Sequence, residues 1–379
     1  MGRKKHSIQK EIFSFLILFA FSSNLSSDIE DKIALHKEQF SEVALKIWEY
    51  AELGYQETKS SNLLASELKK EGFKITKGVA GIPTAFVAEF GSSGPVIGIL
   101  GEFDALPGLA QTNSPFKEVA VNDSGGGHAC GHHLFGAASA WAAVSIKEWL
   151  DENDVEGTVR FYGTPAEEGG SGKVYMVREG LFDDVDVVLH WHPDDVNSAN
   201  PKTSNSNKSA KFTFKGISAH AAGSPELGRS ALDGVEAMNM MVNMMREHIP
   251  QESRMHYVIT KGGLAPNVVP DLAEVYYYVR HPEMKVVEEL FQRVVKTAEG
   301  AARGTETKMT YEVMHGNYSL LPNDNIQKLM HKNLQSFGGI SYNQSENKYA
   351  QEIYKTFIKP DKEIGSQETV KEYKNNHSY

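Results

Sequence analysis

Apolar residues follow two patterns in the first half of the chain. In some segments they recur with the period of a helix, and in others they form short uninterrupted runs. The helical period predicts three amphipathic helices, at residues 29–50, 58–70 and 137–150. The short apolar runs predict four strands, at residues 84–90, 96–100, 158–162 and 185–190. Since strands alternate with helices, this half is predicted to have an α/β fold, with a mainly parallel sheet flanked by helices.

The pattern changes after a polar stretch rich in Ser, Asn and Lys, at residues 197–209, which is interpreted as a linker. Beyond it, four strands are predicted at residues 210–215, 256–260, 274–279 and 308–314, with helices at 230–246 and 286–302. This β-α-β-β-α-β order is typical of a ferredoxin-like α+β unit. A row of methionines in its first helix (Met238, Met241 and Met245) is interpreted as core or interface packing and not as a cofactor site.

The first 27 residues have the pattern of a signal peptide. The basic residues Arg3, Lys4 and Lys5 precede an apolar run at residues 12–21, and small polar residues follow. That run is too short to cross a bilayer comfortably, so no stable membrane span is predicted. Export is therefore expected, to the periplasm or the medium. An uncleaved hydrophobic N-terminal helix is the alternative.

Length and charge narrow the class of protein. A chain of 379 residues fits two domains, or one domain with another inserted into it. The formal net charge of −10 argues against a nucleic-acid partner. The single cysteine, Cys130, excludes an internal disulfide framework.

The candidate chemistry begins around that cysteine, in Gly127-His-Ala-Cys130-Gly-His132-His133. A thiolate and an imidazole two residues apart on a glycine-rich turn can face the same metal ion. A lone Cys-x-His pair is a weak signal, because an isolated cysteine is more often a small buried apolar residue.

Other potential ligands follow three further predicted strands. Glu167 and Glu168 follow one strand, His190 and His192 close another, and Asp104 lies just past a third. Active sites of α/β sheets lie at the carboxyl ends of their strands, so these residues together favour a metal site. Asp104 could orient a ligand histidine or simply cap a turn, and the residues alone leave both open.

Four segments resemble the M20 peptidase and amidohydrolase family in order and spacing. They begin at Gly127, Gly163, Trp191 and Gly262, and the first two are the motifs just described. The runs 167–184 and 228–236 are most similar to the aminobenzoyl-glutamate hydrolase branch. The resemblance implies a zinc-exopeptidase-like catalytic domain with an inserted ferredoxin-like lid, which also serves for dimerisation. It also implies hydrolysis of an amide bond in N-acyl or aminobenzoyl amino acids.

The resemblance also implies roles for particular residues. The metal ligands of a two-metal centre match Cys130, His132, Glu168 and His192, and the ions would be Zn or Mn. The catalytic base matches Glu167, and Asp104 matches a residue that supports the metal site.

Three further positions match the family outside the metal motifs. His220 matches a histidine of the lid that reaches the active site of the partner subunit, so a homodimer is expected. Asn267 and Arg280 match positions that contact substrate. The roles of His133 and His190 stay open.

The resemblance predicts three segments after the signal peptide: a catalytic domain at 28–205, a lid at 206–316 and a return to the catalytic domain with a tail at 317–379. The last segment is shorter than the family pattern leads us to expect, and it lacks a late metal-binding histidine. A truncated, weakly active or inactive metal-binding product is therefore the alternative to an enzyme. A dipeptidase of the same family is a further alternative.

Overall fold

The computed structural model describes residues 31–360 and 363–375, so the predicted signal peptide lies outside the described residues. The numbered helices of the described part are α1 Lys37–Tyr50, α2 Thr58–Lys70, α3 His132–Asn153, α4 Glu167–Gly170, α5 Gly172–Arg178, α6 Ala231–Met245, α7 Met284–Gly304, α8 Asp324–Phe337 and α9 Gln344–Tyr354, and residues 31–35 are helical as well. The strands are β1 Lys74–Lys77, β2 Phe86–Phe90, β3 Val96–Gly101, β4 Leu106–Pro107, β5 Gly126–Gly127, β6 Thr158–Gly163, β7 Val187–Leu189, β8 Ser206–Lys215, β9 Arg254–Lys261, β10 Leu272–His281 and β11 Lys308–Asn317.

The chain divides into two compact units, the first ending at Asp194 and the second beginning at Asp195. The first unit contains a five-stranded sheet in the order β1-β2-β6-β3-β7. Strands β6, β3 and β7 are parallel, whereas β1 pairs with β2, and β2 with β6, in antiparallel fashion. The α/β class, a sheet flanked by helices, is confirmed. The pairing is mixed, with two parallel and two antiparallel pairs, and β1 and β2 are joined by a short connection that reverses the chain.

Helices α1, α2 and α3 supply the main core of the first unit. Their apolar faces pack with side chains of β2, β3 and β6 in one cluster that includes Phe40, Phe86 and Phe161. A smaller cluster around Tyr162 and Met176 packs in the same unit. The sheet that carries the carboxyl ends of β3, β6 and β7 is therefore packed by these two apolar clusters.

The second unit contains a four-stranded antiparallel sheet in the order β11-β8-β10-β9, with α6 and α7 between its strands along the chain. This is the predicted ferredoxin-like arrangement. Alternate residues of β10 are buried, and they pack with α6 and α7 around Phe212 and Phe291. Two of the three methionines singled out above, Met238 and Met245, lie in this core, and Met241 packs against it.

The predicted linker at 197–209 is too long at its carboxyl end. Strand β8 already begins at Ser206, and its polar residues 206–209 pair with β10, while 207–209 also pair with β11. Ser206 and Ser209 are buried although they are polar, because cross-strand pairing satisfies the backbone that composition alone assigns to a loop. Within the described ranges, no helix combines the length and the apolar character that a membrane crossing needs.

Candidate metal centre

Residues that could bind a metal ion meet at one edge of the first unit's sheet. Strand β3 ends at Gly101 and leads directly into Glu102, β6 leads into the acidic turn at Glu167, and β7 leads into His190. Because these three strands are parallel, their carboxyl ends lie at the same edge. Helix α3 begins there as well, with His132 as its first residue.

His132 is fully buried, and the partners of its ring define which nitrogen is available. Its Nδ1 lies 3.1 Å from the carbonyl oxygen and 3.1 Å from Oδ1 of Asp104. A carbonyl can only accept, so Nδ1 carries the hydrogen. Its Nε2 then faces Glu102 Oε2 at 3.0 Å and Glu168 Oε1 at 3.9 Å. A histidine held at Nδ1 by a carbonyl and a carboxylate is the usual form of a metal-binding imidazole.

Cys130 and His192 form the second side of the site. The Sγ of Cys130 lies 3.4 Å from Nε2 of His192, whose Nδ1 donates to the carbonyl oxygen of Pro193 at 2.8 Å. Between Cys130 and α3 lies Gly131 with φ +80°, where a Cβ would come within 2.9 Å of Pro193. Glycine is therefore required for the turn that places the thiol and His132 together.

The acidic turn after β6 is held from three directions. Ala166 has φ 56°, an unfavourable conformation for a residue with a Cβ, and its N–H donates to Oε1 of Glu57 at 2.8 Å. The N–H of Glu168 donates to Oδ2 of Asp104 at 2.9 Å, and the hydroxyl of Tyr55 donates to the carbonyl of Gly170 at 2.6 Å. These contacts fix the backbone at both glutamates.

The pKa values of the site reflect crowding of acidic groups around few cations. Burial lowers the pKa of His132, but close polar contacts with Asp104, Cys130 and Glu102 outweigh it and raise that pKa to about 12. Hydrogen bonds to His132 and His192 lower the pKa of Cys130 to about 6. Burial, and then the negative charge of Cys130, raise the pKa of Glu168 to about 8. Protons thus neutralise a site where a bound cation would replace them.

The motifs did not single out Glu102 or Lys173, yet both contribute to this site. Glu102 is only 2% exposed and forms an ion pair with the ammonium group of Lys173 on α5. Burial alone would raise the pKa of Glu102, but the charge of Lys173 and the close contacts with His132 and His190 lower it far below its usual range. The sequence offered one indication of Glu102, which is its position directly after a buried apolar strand.

Glu57 was also missed, and no local signal marks it. It is fully buried although it directly precedes α2, where an acidic residue usually faces solvent. Besides the N–H of Ala166, it accepts a hydrogen bond from the hydroxyl of Thr84 at 3.0 Å. Its role follows only from its neighbours in the folded chain.

The residues present fit a divalent metal ion. Three buried atoms converge without a hydrogen-bond partner: Nε2 of His132, Oε2 of Glu102 and Oε1 of Glu168. Cys130, His132 and His192 form one group whose ligand atoms all lie within 4.8 Å of one another, and Glu102, His132 and Glu167 form another. Thiolate, imidazole and carboxylate ligands together suit zinc, and the carboxylates also admit manganese.

The structure therefore brings together all six residues predicted for the first unit: Asp104, Cys130, His132, Glu167, Glu168 and His192. Glu167 is the most open of the carboxylates. Protein surrounding its carboxyl group, followed by the negative charge of Glu102, raises the pKa of Glu167. The individual roles of the six residues stay predictions.

The three remaining predicted residues lie in the second unit. His220 pairs with Val268 in an isolated β-bridge, and the N–H of Ala221 donates to the carbonyl of Asn267, so His220 and Asn267 are neighbours. The Nδ1 of His220 accepts from two backbone N–H groups at 3.2 and 2.9 Å, which leaves the ring hydrogen on Nε2. Arg280 lies on β10 with its guanidinium over Tyr278 and a buried Nε that has no hydrogen-bond partner.

The two histidines whose roles were left open lie beside the site. The ring of His133 lies tilted against that of His128 with 5.2 Å between centroids, and its buried Nδ1 has no hydrogen-bond partner. Burial, and then the charge of His132, lower the pKa of His133 to about 4. His190 packs edge-on against Phe135, and its Nε2 lies 3.6 Å from Oε1 of Glu102.

An α/β sheet whose strand ends gather a thiolate, imidazoles and paired carboxylates offers metal-ligand groups at the edge where α/β enzymes place their active sites. The comparisons with known proteins agree. Residues 98–353 match the model of peptidase family M20/M25/M40. The chain is 44% identical to one of the subunits of the p-aminobenzoyl-glutamate hydrolase of Escherichia coli, over 88% of this chain and 70% of that protein. It is 30% identical to the human Xaa-Arg dipeptidase, over 79% and 69% of the two chains.

A solved structure extends the agreement to the fold. The Bacillus subtilis protein YXEP, described as a dinuclear metal-binding peptidase of family M20, superimposes with a TM-score of 0.52 at 23% identity, covering 78% of each chain. The chain thus belongs to peptidase family M20/M25/M40. It is a hydrolase that acts on amide bonds.

Proposed function

We propose that this hydrolase cleaves the amide bond of aminobenzoyl-glutamate and similar N-acyl amino acids, in a reaction that depends on two divalent metal ions. The observation that carries the proposal is the convergence of unpartnered buried ligand atoms on His132, Glu102 and Glu168 beside the Cys130–His192 pair. Buried polar atoms without partners are costly, and a cation would satisfy them together. The aminobenzoyl-glutamate part of the proposal rests on the 44% identity to the Escherichia coli hydrolase.

Cys130, His132, Glu168 and His192 would hold the ions. Bound divalent ions supply a water molecule of lowered pKa and a positive charge for the developing oxyanion. Asp104 contributes indirectly, since it holds Nδ1 of His132 and the backbone N–H of Glu168 at once. A single carboxylate therefore sets the direction of two ligands.

Glu167 is the general base. Its carboxylate accepts a proton from the attacking water as the new C–O bond forms, and returns it to the amine nitrogen as the C–N bond breaks. A raised pKa suits this double role, because a group that must both accept and donate works best near the operating pH. Glu57 and Tyr55 hold the backbone of the turn that carries this carboxylate.

Residues of the second unit would recognise the substrate. Glutamate carries carboxylates, and Arg280 offers a guanidinium fork with an unused buried N–H. His220 presents a hydrogen on Nε2, as a donor to an oxyanion must. By resemblance to the family we propose that His220 acts in the active site of a second copy, in a homodimer, and that Asn267 beside it contacts substrate.

We also propose that the chain is exported, on the basis of the signal-peptide pattern in its first 27 residues. Expression of the full chain followed by N-terminal sequencing of the exported product tests this. Cleavage after about residue 27 supports it, whereas an intact N-terminus in the cell-associated fraction contradicts it.

The decisive experiment measures release of glutamate from p-aminobenzoyl-glutamate by the purified chain after loading with Zn²⁺ or Mn²⁺. We expect turnover that a chelator abolishes and that the Glu167→Gln variant lacks while it keeps its bound metal. Glu89→Gln is a matched control, because Glu89 pairs with Arg160 away from the site. Turnover of dipeptides in place of aminobenzoyl-glutamate would overturn the substrate assignment, and metal-independent turnover would overturn the mechanism.

A further inference from the structure

The two oxygens of Glu102 face different partners. Oε1 forms an ion pair with the ammonium of Lys173 and lies 3.6 Å from His190. Oε2 points the other way, 3.0 Å from Nε2 of His132, yet neither of these two atoms takes part in a hydrogen bond. Since Nδ1 of His132 already donates to Asp104, Nε2 is the ring nitrogen that is left to face a ligand. A buried carboxylate oxygen and an imidazole nitrogen at this distance need a positive charge between them, which either a proton or a metal ion can supply.

The excess of negative charge in the site also favours a bound cation. Four carboxylates (Glu102, Asp104, Glu167 and Glu168) and the Cys130 thiol gather around His132. Lys173 is the one lysine or arginine that the ion pairs of the described residues place against this group. A single ammonium can compensate one oxygen of Glu102 but not the remaining carboxylates. A buried charge without sufficient compensation is strongly unfavourable.

We propose that Glu102 is a further ligand of the metal centre through Oε2, while Lys173 serves as the counter-ion of Oε1. Glu102 thereby joins Cys130, His132, Glu168 and His192 as a group that touches the bound ion. The inference rests on the metal centre proposed above and adds a ligand that the sequence motifs did not single out. Its position directly after Gly101, the last residue of β3, places it at the sheet edge where the other ligands lie.

Glu102 and Lys173 form one ion pair, but only Glu102 would bind the metal ion. Substitutions of the two residues should therefore affect metal affinity differently. Replacement of Glu102 by Gln keeps the shape of the side chain and a polar contact for Lys173, but removes the charge that a metal ion needs. Replacement of Lys173 by Met leaves the carboxylate and removes a competing positive charge. If the pair were merely structural, either substitution would break the same contact, and both would affect metal binding alike.

The test measures the dissociation constant of Zn²⁺ by competition with a chromophoric chelator, for the full chain and the variants Glu102→Gln, Lys173→Met and Glu89→Gln. We expect Glu102→Gln to weaken zinc binding at least about tenfold, and Lys173→Met and Glu89→Gln not to weaken it. Equal losses in Glu102→Gln and Lys173→Met, or unchanged binding in Glu102→Gln, would overturn the proposal.

A second readout separates loss of a ligand from loss of the fold. Co²⁺ bound to a thiolate gives a sulfur-to-metal charge-transfer band, and its d–d bands report the number and geometry of the ligands. In Glu102→Gln we expect the charge-transfer band from Cys130 to persist while the d–d bands change. Unchanged d–d bands would overturn the assignment of Glu102. If the unsubstituted chain bound no metal at all, the proposed function itself would fail, and the two failures are thus distinguishable.

Discussion

The two compact units bury different kinds of side chain. The second unit buries an apolar core, in which Phe212 packs with Tyr277, Phe291 and Tyr311 between a sheet and two helices. The first unit has a comparable apolar core around Phe40 and Phe161, but it also buries a group of charged residues at the ends of its strands. Apolar burial is favourable by itself, whereas buried charge must be compensated.

The difference indicates where stability and chemistry reside. In the second unit the apolar side chains of the core stabilise the fold through packing. In the first unit His132, Glu102 and Glu168 keep atoms without hydrogen-bond partners, which lowers stability and leaves them available to a ligand. Substitutions in the two places should therefore have separable effects, one on folding and the other on metal binding and turnover.

The largest expected effect on folding is that of Phe212→Ala in the second unit. Removal of this fully buried ring leaves a cavity and should lower the free energy of unfolding by about 3–5 kcal/mol, measured by urea denaturation. Phe116→Ala is the control, because Phe116 is 59% exposed and its loss should change stability by less than about 0.5 kcal/mol. A loss below about 1 kcal/mol for Phe212→Ala would show that this core does not determine stability.

Cys130→Ser tests the first unit, where a substitution should affect metal binding and not folding. The hydroxyl is a far weaker ligand than a thiolate, so zinc affinity should fall about 100-fold or more. The metal-free protein should unfold at nearly the same urea concentration as the unsubstituted chain, because Cys130 is only half-buried. The comparison breaks down if this substitution destabilises the metal-free protein as much as Phe212→Ala does.

Glu57→Gln tests whether a buried carboxyl group of the first unit makes the stability of the protein depend on pH. Burial is the main cause that raises the pKa of Glu57 from 4.5 to about 7. The folded state thus holds this proton more tightly than the unfolded state. The protonated carboxyl group of Glu57 therefore contributes fully to the free energy of unfolding below pH 4.5. This contribution, about 3 kcal/mol, is lost as the pH rises through about 7.

A glutamine at position 57 can accept from Ala166 and donate to Thr84, so it keeps both contacts without a charge. We expect the variant to be more stable than the unsubstituted chain at pH 8 by about 1–3 kcal/mol. Denaturation curves between pH 5 and pH 8 provide the measurement. An unchanged pH slope would mean that the carboxyl group of Glu57 does not retain its proton.

The smallest expected effect concerns a helix end in the second unit. Asn343 caps α9, accepting from the N–H groups of Ser345 and Glu346, while the side chain of Glu346 accepts from the N–H of Asn343. Asn343→Ala should cost about 1 kcal/mol of stability and leave zinc affinity unchanged. Asn343→Ser, which preserves the cap, should recover most of the loss. A change in zinc affinity would contradict the separation of the two units' roles.

The sequence by itself determined most of the secondary structure and most of the candidate ligands. Helical and strand periods depend on neighbours a few residues apart, so the main elements of both units could be predicted, including the ferredoxin-like order of the second, whereas β1, α5, α8 and α9 were not predicted. The metal motif was equally local, because Cys130 and His132 are two residues apart and Glu167 directly precedes Glu168. The boundary of β8 was misjudged because its first residues are polar and only pairing with β10 and β11 makes them a strand.

Only the tertiary structure decided which other charged residues belong to the site. Glu57 contacts Ala166 across 109 positions of sequence, and Lys173 contacts Glu102 across 71. Neither pair has a local signature, because a surface glutamate and a buried one have the same neighbours in the chain. Mixed pairing in the first sheet was hidden for the same reason, since strand direction depends on which distant strand lies alongside. Burial and electrostatic compensation arise from contacts between residues far apart in sequence, and folding is what brings them together.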